Sequence, residues 1–164
     1  MVKAAAKKTA KKSAATTTKK TPRKTEAKPI KYADKSAGQP ELIPIFNELM
    51  KLMLPFEKGS IEKKGGKDGQ FSLISKKTVE IAPGKKMDEV WFSGLLVQKG
   101  YVGFYFMPVY ASPELKTELH PELLKCLKGK SCFHIKKMND EVAEQVKEAL
   151  KKGYDLYKKK GWIS

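Results

Sequence analysis

The sequence predicts an α+β domain behind a disordered basic tail. The expected core is an antiparallel β-sheet of about five strands, with N-terminal and C-terminal helices packed on one face. Three observations carry that prediction. Apolar residues recur at helical spacing near both ends of residues 39–164. Between them lie short alternating or continuous apolar runs punctuated by Gly and Pro. Ahead of them, residues 1–38 are built from Lys, Ala, Thr, Ser and Pro with almost no large apolar side chain. Runs of strands flanked by helices read as an antiparallel sheet with the helices segregated.

Residues 1–38 cannot bury enough apolar surface to offset the entropy of ordering, so disorder is expected. Order is expected from about Pro40. Leu42, Phe46, Leu49, Met50 and Met53 mark an amphipathic helix that Pro55 closes. Residues 57–70 read as a charged, glycine-rich loop with a turn at Asp68-Gly69. Phe71 and Leu73, then Val79 and Ile81, alternate with polar residues as two half-buried strands would. Pro83-Gly84 is a turn. Val90–Gln98 and Tyr101–Tyr110 are long apolar runs split by Lys99-Gly100, and read as a central hairpin covered on both faces for much of its length. Ser112-Pro113 starts a short helix to about Leu119. Pro121 starts another, through Leu127, closed by Gly129. Ser131–Lys137 reads as a strand. Asn139 or Asp140 caps a last helix with Val142, Val146 and Leu150 on its buried stripe, extended past Gly153 by Tyr154 and Tyr157.

Charge divides the chain as sharply as hydropathy does. Of a formal net charge of +16, residues 1–40 carry +10, from eleven Lys and one Arg against two acids. A basic arm of this kind points to a polyanion. Lys7, Lys8, Lys11, Lys12, Lys19, Lys20, Arg23 and Lys24 are its candidate contacts with DNA or RNA, and their Lys/Ala/Pro setting resembles linker-histone arms in composition. Such contacts to phosphate give affinity without sequence readout. Two cysteines are too few for a disulfide framework and no apolar signal segment is visible, so a cytoplasmic protein is expected. The longest apolar run, Tyr101–Ala111, is short of the roughly 20 residues a membrane helix needs.

Several motifs together resemble a known family. They are Tyr101-Val102-Gly103-Phe104-Tyr105-Phe106-Met107-Pro108-Val109-Tyr110, then Pro113-Glu114-Leu115, Pro121-Glu122-Leu123 and Gly129-Lys130-Ser131-Cys132-Phe133-His134-Ile135. A helix running into Gly153-Tyr154 and Tyr157 completes the set. In these the chain resembles the YdhG-like domain family of bacteria over roughly residues 41–160. The resemblance implies an uncharacterised binding domain rather than an enzyme. One branch of the family is described as frataxin-like iron chaperones, which implies ferrous iron held on surface carboxylates.

The residues themselves offer few sites. Glu141, Glu144, Glu148 and Asp155 fall on one face of the last helix, and hard cations accept such carboxylates. Glu141, Glu144 and Glu148 are therefore the candidate metal ligands. The competing reading is a solvated face, with Lys147, Lys151 and Lys152 interleaved and Glu148–Lys152 an ordinary i,i+4 pair. Cys132 and His134 share a strand face, but with His120 and Cys126 they match no zinc spacing. As a nucleophile pair they lack an orienting third group. Gly65-Gly66-Lys67-Asp68 lacks the first glycine and the Ser or Thr of a phosphate loop. Lys99-Gly100-Tyr101 with Phe106 matches the RNA-recognition strand motif only in part, because Val102, Gly103 and Phe104 break its middle. The aromatics read instead as sheet core and lining of a hollow between sheet and helices, with Trp91, Tyr105 and Tyr110 the candidate pocket residues. No catalytic set assembles. Two functions are expected: a non-enzymatic domain holding a small ligand or ferrous iron, or a protein bound non-specifically to nucleic acid through its tail.

Overall fold

A computed structural model describes residues 34–164. It has the predicted α+β class, with a six-stranded antiparallel sheet in the order β1-β2-β5-β6-β8-β7 and a separate two-stranded hairpin, β3-β4. The strands are β1 (Ile61–Lys67), β2 (Gln70–Ser75), β3 (Val79–Ala82), β4 (Lys85–Met87), β5 (Val90–Gln98), β6 (Tyr101–Phe106), β7 (Leu127–Lys128) and β8 (Cys132–Ile135). The helices are α1 (Leu42–Met53), α2 (Pro108–Ala111), α3 (Pro121–Lys125) and α4 (Asp140–Lys159). All but residues 34–38 of the basic tail lie outside the described residues. Residues 34–39 are tied to the turn between β5 and β6: Lys35 Nζ donates to Gln98 Oε1 at 2.7 Å and Gly100 N to Gln39 Oε1 at 2.6 Å. The domain's contacts thus begin ahead of Pro40.

α1 forms because Leu42, Ile45, Phe46, Leu49 and Met53 make one buried stripe. Pro55 ends its regular hydrogen bonding, and Leu54–Phe56 continue as a 3-10 turn. α4 starts at Asn139, whose side-chain oxygen accepts from Val142 N at 2.8 Å. Both helices cover the same sheet face. The ring of Phe92 on β5 lies 6.0 Å from Phe56, just after α1, and 5.5 Å from Tyr157 on α4.

Several local expectations change. The segment 57–70 is not a loop: Ile61–Lys67 is an edge strand, and only Ile61 of it is buried. An edge strand needs backbone partners on one side but no apolar alternation, so composition hides it. The Asp68-Gly69 turn is as expected, with φ of 56° and 65° at the two residues. β2 is buried on both faces rather than half-buried. β6 stops at Phe106, because Pro108 cannot donate to a ladder and instead opens α2. Residues 113–118 form a 3-10 helix without a side-chain cap from Ser112. α3 ends at Lys125, and Leu127-Lys128 pair with β8 across the Gly129 turn.

Two positions decide packing beyond the pattern. A β-bulge leaves Phe92 without a partner on β2, since Leu73 faces Ser93 and Ile74 faces Trp91. Phe92 and Ser93 therefore both turn to the helical side. The Trp91 carbonyl, freed from the ladder, accepts from Tyr157 Oη at 2.8 Å. Gly153, inside α4, is where that helix meets the sheet: a Cβ there would lie 2.4 Å from Phe106 Cζ and 2.7 Å from Pro108 Cγ.

Two substitutions test this packing with opposite signs. Gly153→Ala gains helix propensity but overpacks a rigid ring, and should lose about 1–2 kcal/mol net in chemical denaturation. The buried Ser93 hydroxyl has no hydrogen-bond partner among the described residues. Ser93→Ala should therefore raise stability by about 1 kcal/mol in the same measurement.

Candidate functional site

The bulge and the strand pleat sort the central residues onto two faces. Val102, Phe104 and Phe106 of β6, with Phe133 and Ile135 of β8, point under the helices and are fully buried. Tyr101, Gly103, Tyr105, Cys132 and His134 alternate with them and point to the other face. On β5 the same face carries Trp91, Gly94 and Leu96. Among the described residues, α1 and α4 pack on the opposite face. Trp91 is 47% exposed, and Tyr101, Tyr105 and His134 are half-buried.

Two glycines shape this face. A Cβ on Gly103 would lie 3.1 Å from Tyr105 Cε2, and one on Gly94 would lie 3.6 Å from Trp91 Cζ3. Each aromatic ring thus occupies the space that a neighbouring side chain would fill, and lies over the sheet instead of standing off it. Tyr101 and His134, on adjacent strands, stack with centroids 3.8 Å apart and planes 14° from parallel. The result is a surface of four rings across β5, β6 and β8. Lysines stand at both margins: Lys64 on β1, and Lys128 and Lys136 beside β8. All three are exposed, and none is in an ion pair among the described residues. Two acids lie near the Lys64 margin: Glu62 on β1, and Glu89 just ahead of β5, which pairs with Lys76 and also feels the charge of Lys64.

The titratable groups here are quiet rather than reactive. Burial, then the neighbouring Cys132 thiol, push the Tyr105 phenol up to about 12, so it stays a neutral hydroxyl. Burial raises both Cys126 and Cys132, which keeps them as thiols rather than nucleophilic thiolates. Both are free. His134 is pushed below 6.5, first by burial and then by the charges of Lys128 and Lys136.

The expected pocket is not assembled. Trp91 and Tyr105 lie on the face away from α1 and α4, whereas Tyr110 lies in α2, with Lys130 Nζ 5.6 Å from its ring centroid. Between sheet and helices the space is filled: Phe92 alone touches the rings of Phe56, Phe106, Tyr154 and Tyr157. The carboxylate ridge does not converge either. Glu141 Oε1 accepts from Gln145 Nε2 at 3.2 Å, and Glu144 pairs with Lys147 at 3.2 Å. Lys152 turns away from Glu148 and donates to the Glu118 carbonyl. Among the described residues no group of three or more His, Cys, Asp or Glu side chains could hold a metal ion. Glu141, Glu144 and Glu148 thus do not fit ferrous iron as a set, because helical spacing aligned them without turning them toward one point. The eight basic tail candidates lie outside the described residues.

The aromatic face escaped sequence reasoning because its rings sit in apolar runs that look uniformly buried. The signal was present in the odd-numbered residues of β6, two of which are tyrosines flanking a glycine.

Tyr101–His134 stacking and the two lysines make a measurable prediction. In a proton NMR titration, His134 should titrate below 6.5, and in Lys128→Ala/Lys136→Ala its midpoint should move up. Because the folded state holds the proton less tightly than the unfolded chain, stability should rise with pH between the depressed midpoint and 6.5.

Comparison with known protein families, with curated proteins and with solved structures finds no match for the chain, so the YdhG-like resemblance rests on the quoted motifs alone.

Proposed function

We propose that this is a non-enzymatic nucleic-acid-associated protein whose basic N-terminal tail supplies non-specific affinity for DNA or RNA. The observation that carries the reading is the charge distribution. The first 40 residues hold +10 of the +16 total, and the remainder is itself net positive. Each lysine that neutralises a phosphate releases a condensed counterion, so affinity comes from the backbone and falls with salt. The described domain supports this over the small-ligand and iron-chaperone readings, because its interior is filled and its carboxylates do not converge. Its two thiols and the Tyr105 phenol, held protonated, suit binding better than group transfer. We place the protein in the cytoplasm, where two free cysteines persist unpaired. Among the described residues no helix is long and apolar enough to cross a membrane.

The test is duplex DNA binding as a function of salt. The full chain should show a log–log slope of about −0.9 per phosphate contact. Changing Lys7, Lys8, Lys11, Lys12, Lys19, Lys20, Arg23 and Lys24 to Gln should flatten that slope and weaken binding at least tenfold at low salt. An unchanged slope would exclude the tail as the source of affinity.

A further inference from the structure

The face of the sheet away from α1 and α4 carries more information than charge. Trp91, Tyr105, Tyr101 and His134 tile three adjacent strands, β5, β6 and β8. Two of these rings lie over glycines that leave room for them, Trp91 over Gly94 and Tyr105 over Gly103. A sheet face meant only to be solvated would carry polar side chains here. A face meant to dock a helix or a second sheet would carry wholly apolar side chains, as the opposite face does with Val102, Leu95, Ile135, Phe104 and Phe133. This face instead presents π surfaces that keep a polar edge: two phenols, an indole and an imidazole. Outside them stand Lys64 on one margin and Lys128 and Lys136 on the other; none of the three is in a direct ion pair among the described residues, and Lys64 acts at longer range on Glu89.

We propose that this face binds single-stranded nucleic acid, its bases stacked on Trp91, Tyr105 and the Tyr101–His134 pair and its phosphates held by Lys64, Lys128 and Lys136. The proposal rests on the nucleic-acid reading above and deepens it by naming the strand state. Aromatic faces accept unpaired bases of any sequence, and flanking cations track the backbone between them. A duplex hides its base faces within its own stack, so it reaches the protein only through phosphates. The two parts of the molecule therefore differ in chemistry: the tail is indifferent to strand state, and the sheet face requires unpaired bases.

The test uses the full chain with a short oligo(dT), an oligo(U) of the same length, and a duplex of matched length. Trp91 emission should be quenched by the single strands and not by the duplex, and the quench should vanish in Trp91→Leu, which retains Trp162. Trp91→Leu/Tyr101→Leu keeps apolar bulk but removes two π faces. It should weaken single-strand binding roughly 5- to 150-fold per lost stack while leaving duplex affinity within about twofold. Tyr101→Phe, which keeps the ring, should bind like the unaltered chain, as should Tyr110→Leu, an exposed aromatic away from this face. Comparison of oligo(dT) with oligo(U) assigns the preferred sugar. Three results would overturn the proposal: no quench by single strands in the unaltered protein, equal losses for single strand and duplex, or a fall in solution mass on ring substitution, which would make the face a contact between copies. The tail reading fails separately, through salt-independent duplex binding, and that result would leave a single-strand-specific quench standing.

Discussion

Phe92 stands where four elements meet, and its burial constrains the rest of the architecture. Its ring reaches Phe56 beyond α1, Phe106 on β6, and Tyr154 and Tyr157 on α4. It can do so only because the bulge takes it out of register with β2. A regular strand would place Phe92 and Ser93 on opposite faces, and the aromatic cluster would lose its centre. Removing a buried phenylalanine of this kind costs about 3–5 kcal/mol, a large part of a small domain's net stability. The same irregularity releases the Trp91 carbonyl to Tyr157 and leaves the Trp91 side chain on the outside. Core packing and the exposed aromatic surface thus share one backbone feature.

The helices hold to one side because each has a single apolar stripe to bury. α1 spends its stripe on β5 and β6, and α4 fits closely enough to need Gly153 beneath Phe106. The chain's last residues return to β2, where Ser75 Oγ donates to the Trp162 carbonyl at 2.8 Å. Among the described residues, neither α1 nor α4 covers the second face. Two of its rings lie over glycines, Trp91 over Gly94 and Tyr105 over Gly103.

Much of the architecture was legible in the sequence because it depended on period and punctuation. The Leu42–Met53 stripe, the Lys99-Gly100 turn, the Asn139 cap and the passage of α4 through Gly153 follow from spacing and turn chemistry alone. The illegible parts share a cause: they depend on which neighbour a residue meets. Ile61–Lys67 is a strand because β2 offers it backbone partners, not because its side chains alternate. Glu141, Glu144 and Glu148 share a helix face but find Gln145, Lys147 and solvent rather than a common ion. Trp91 and Tyr105 were grouped with Tyr110 by composition, and the strand ending at Phe106 separates them. The polar edges of Tyr101 and Tyr105 were the one hint that a run of aromatics had two destinations.

The alternation along β6 has a consequence for how this chain can vary. Val102, Phe104 and Phe106 answer to the core, while Tyr101, Gly103 and Tyr105 answer to the surface they form. Adjacent positions are therefore under separate demands, interleaved one by one along a single strand. Drift at the even positions should be limited by volume and compensated across the core. Drift at the odd positions is free of that limit, except at Gly103, where any side chain would displace the Tyr105 ring. A lineage could thus re-specify the outer surface residue by residue while inheriting its interior unchanged, with one glycine as the hinge between the two kinds of change.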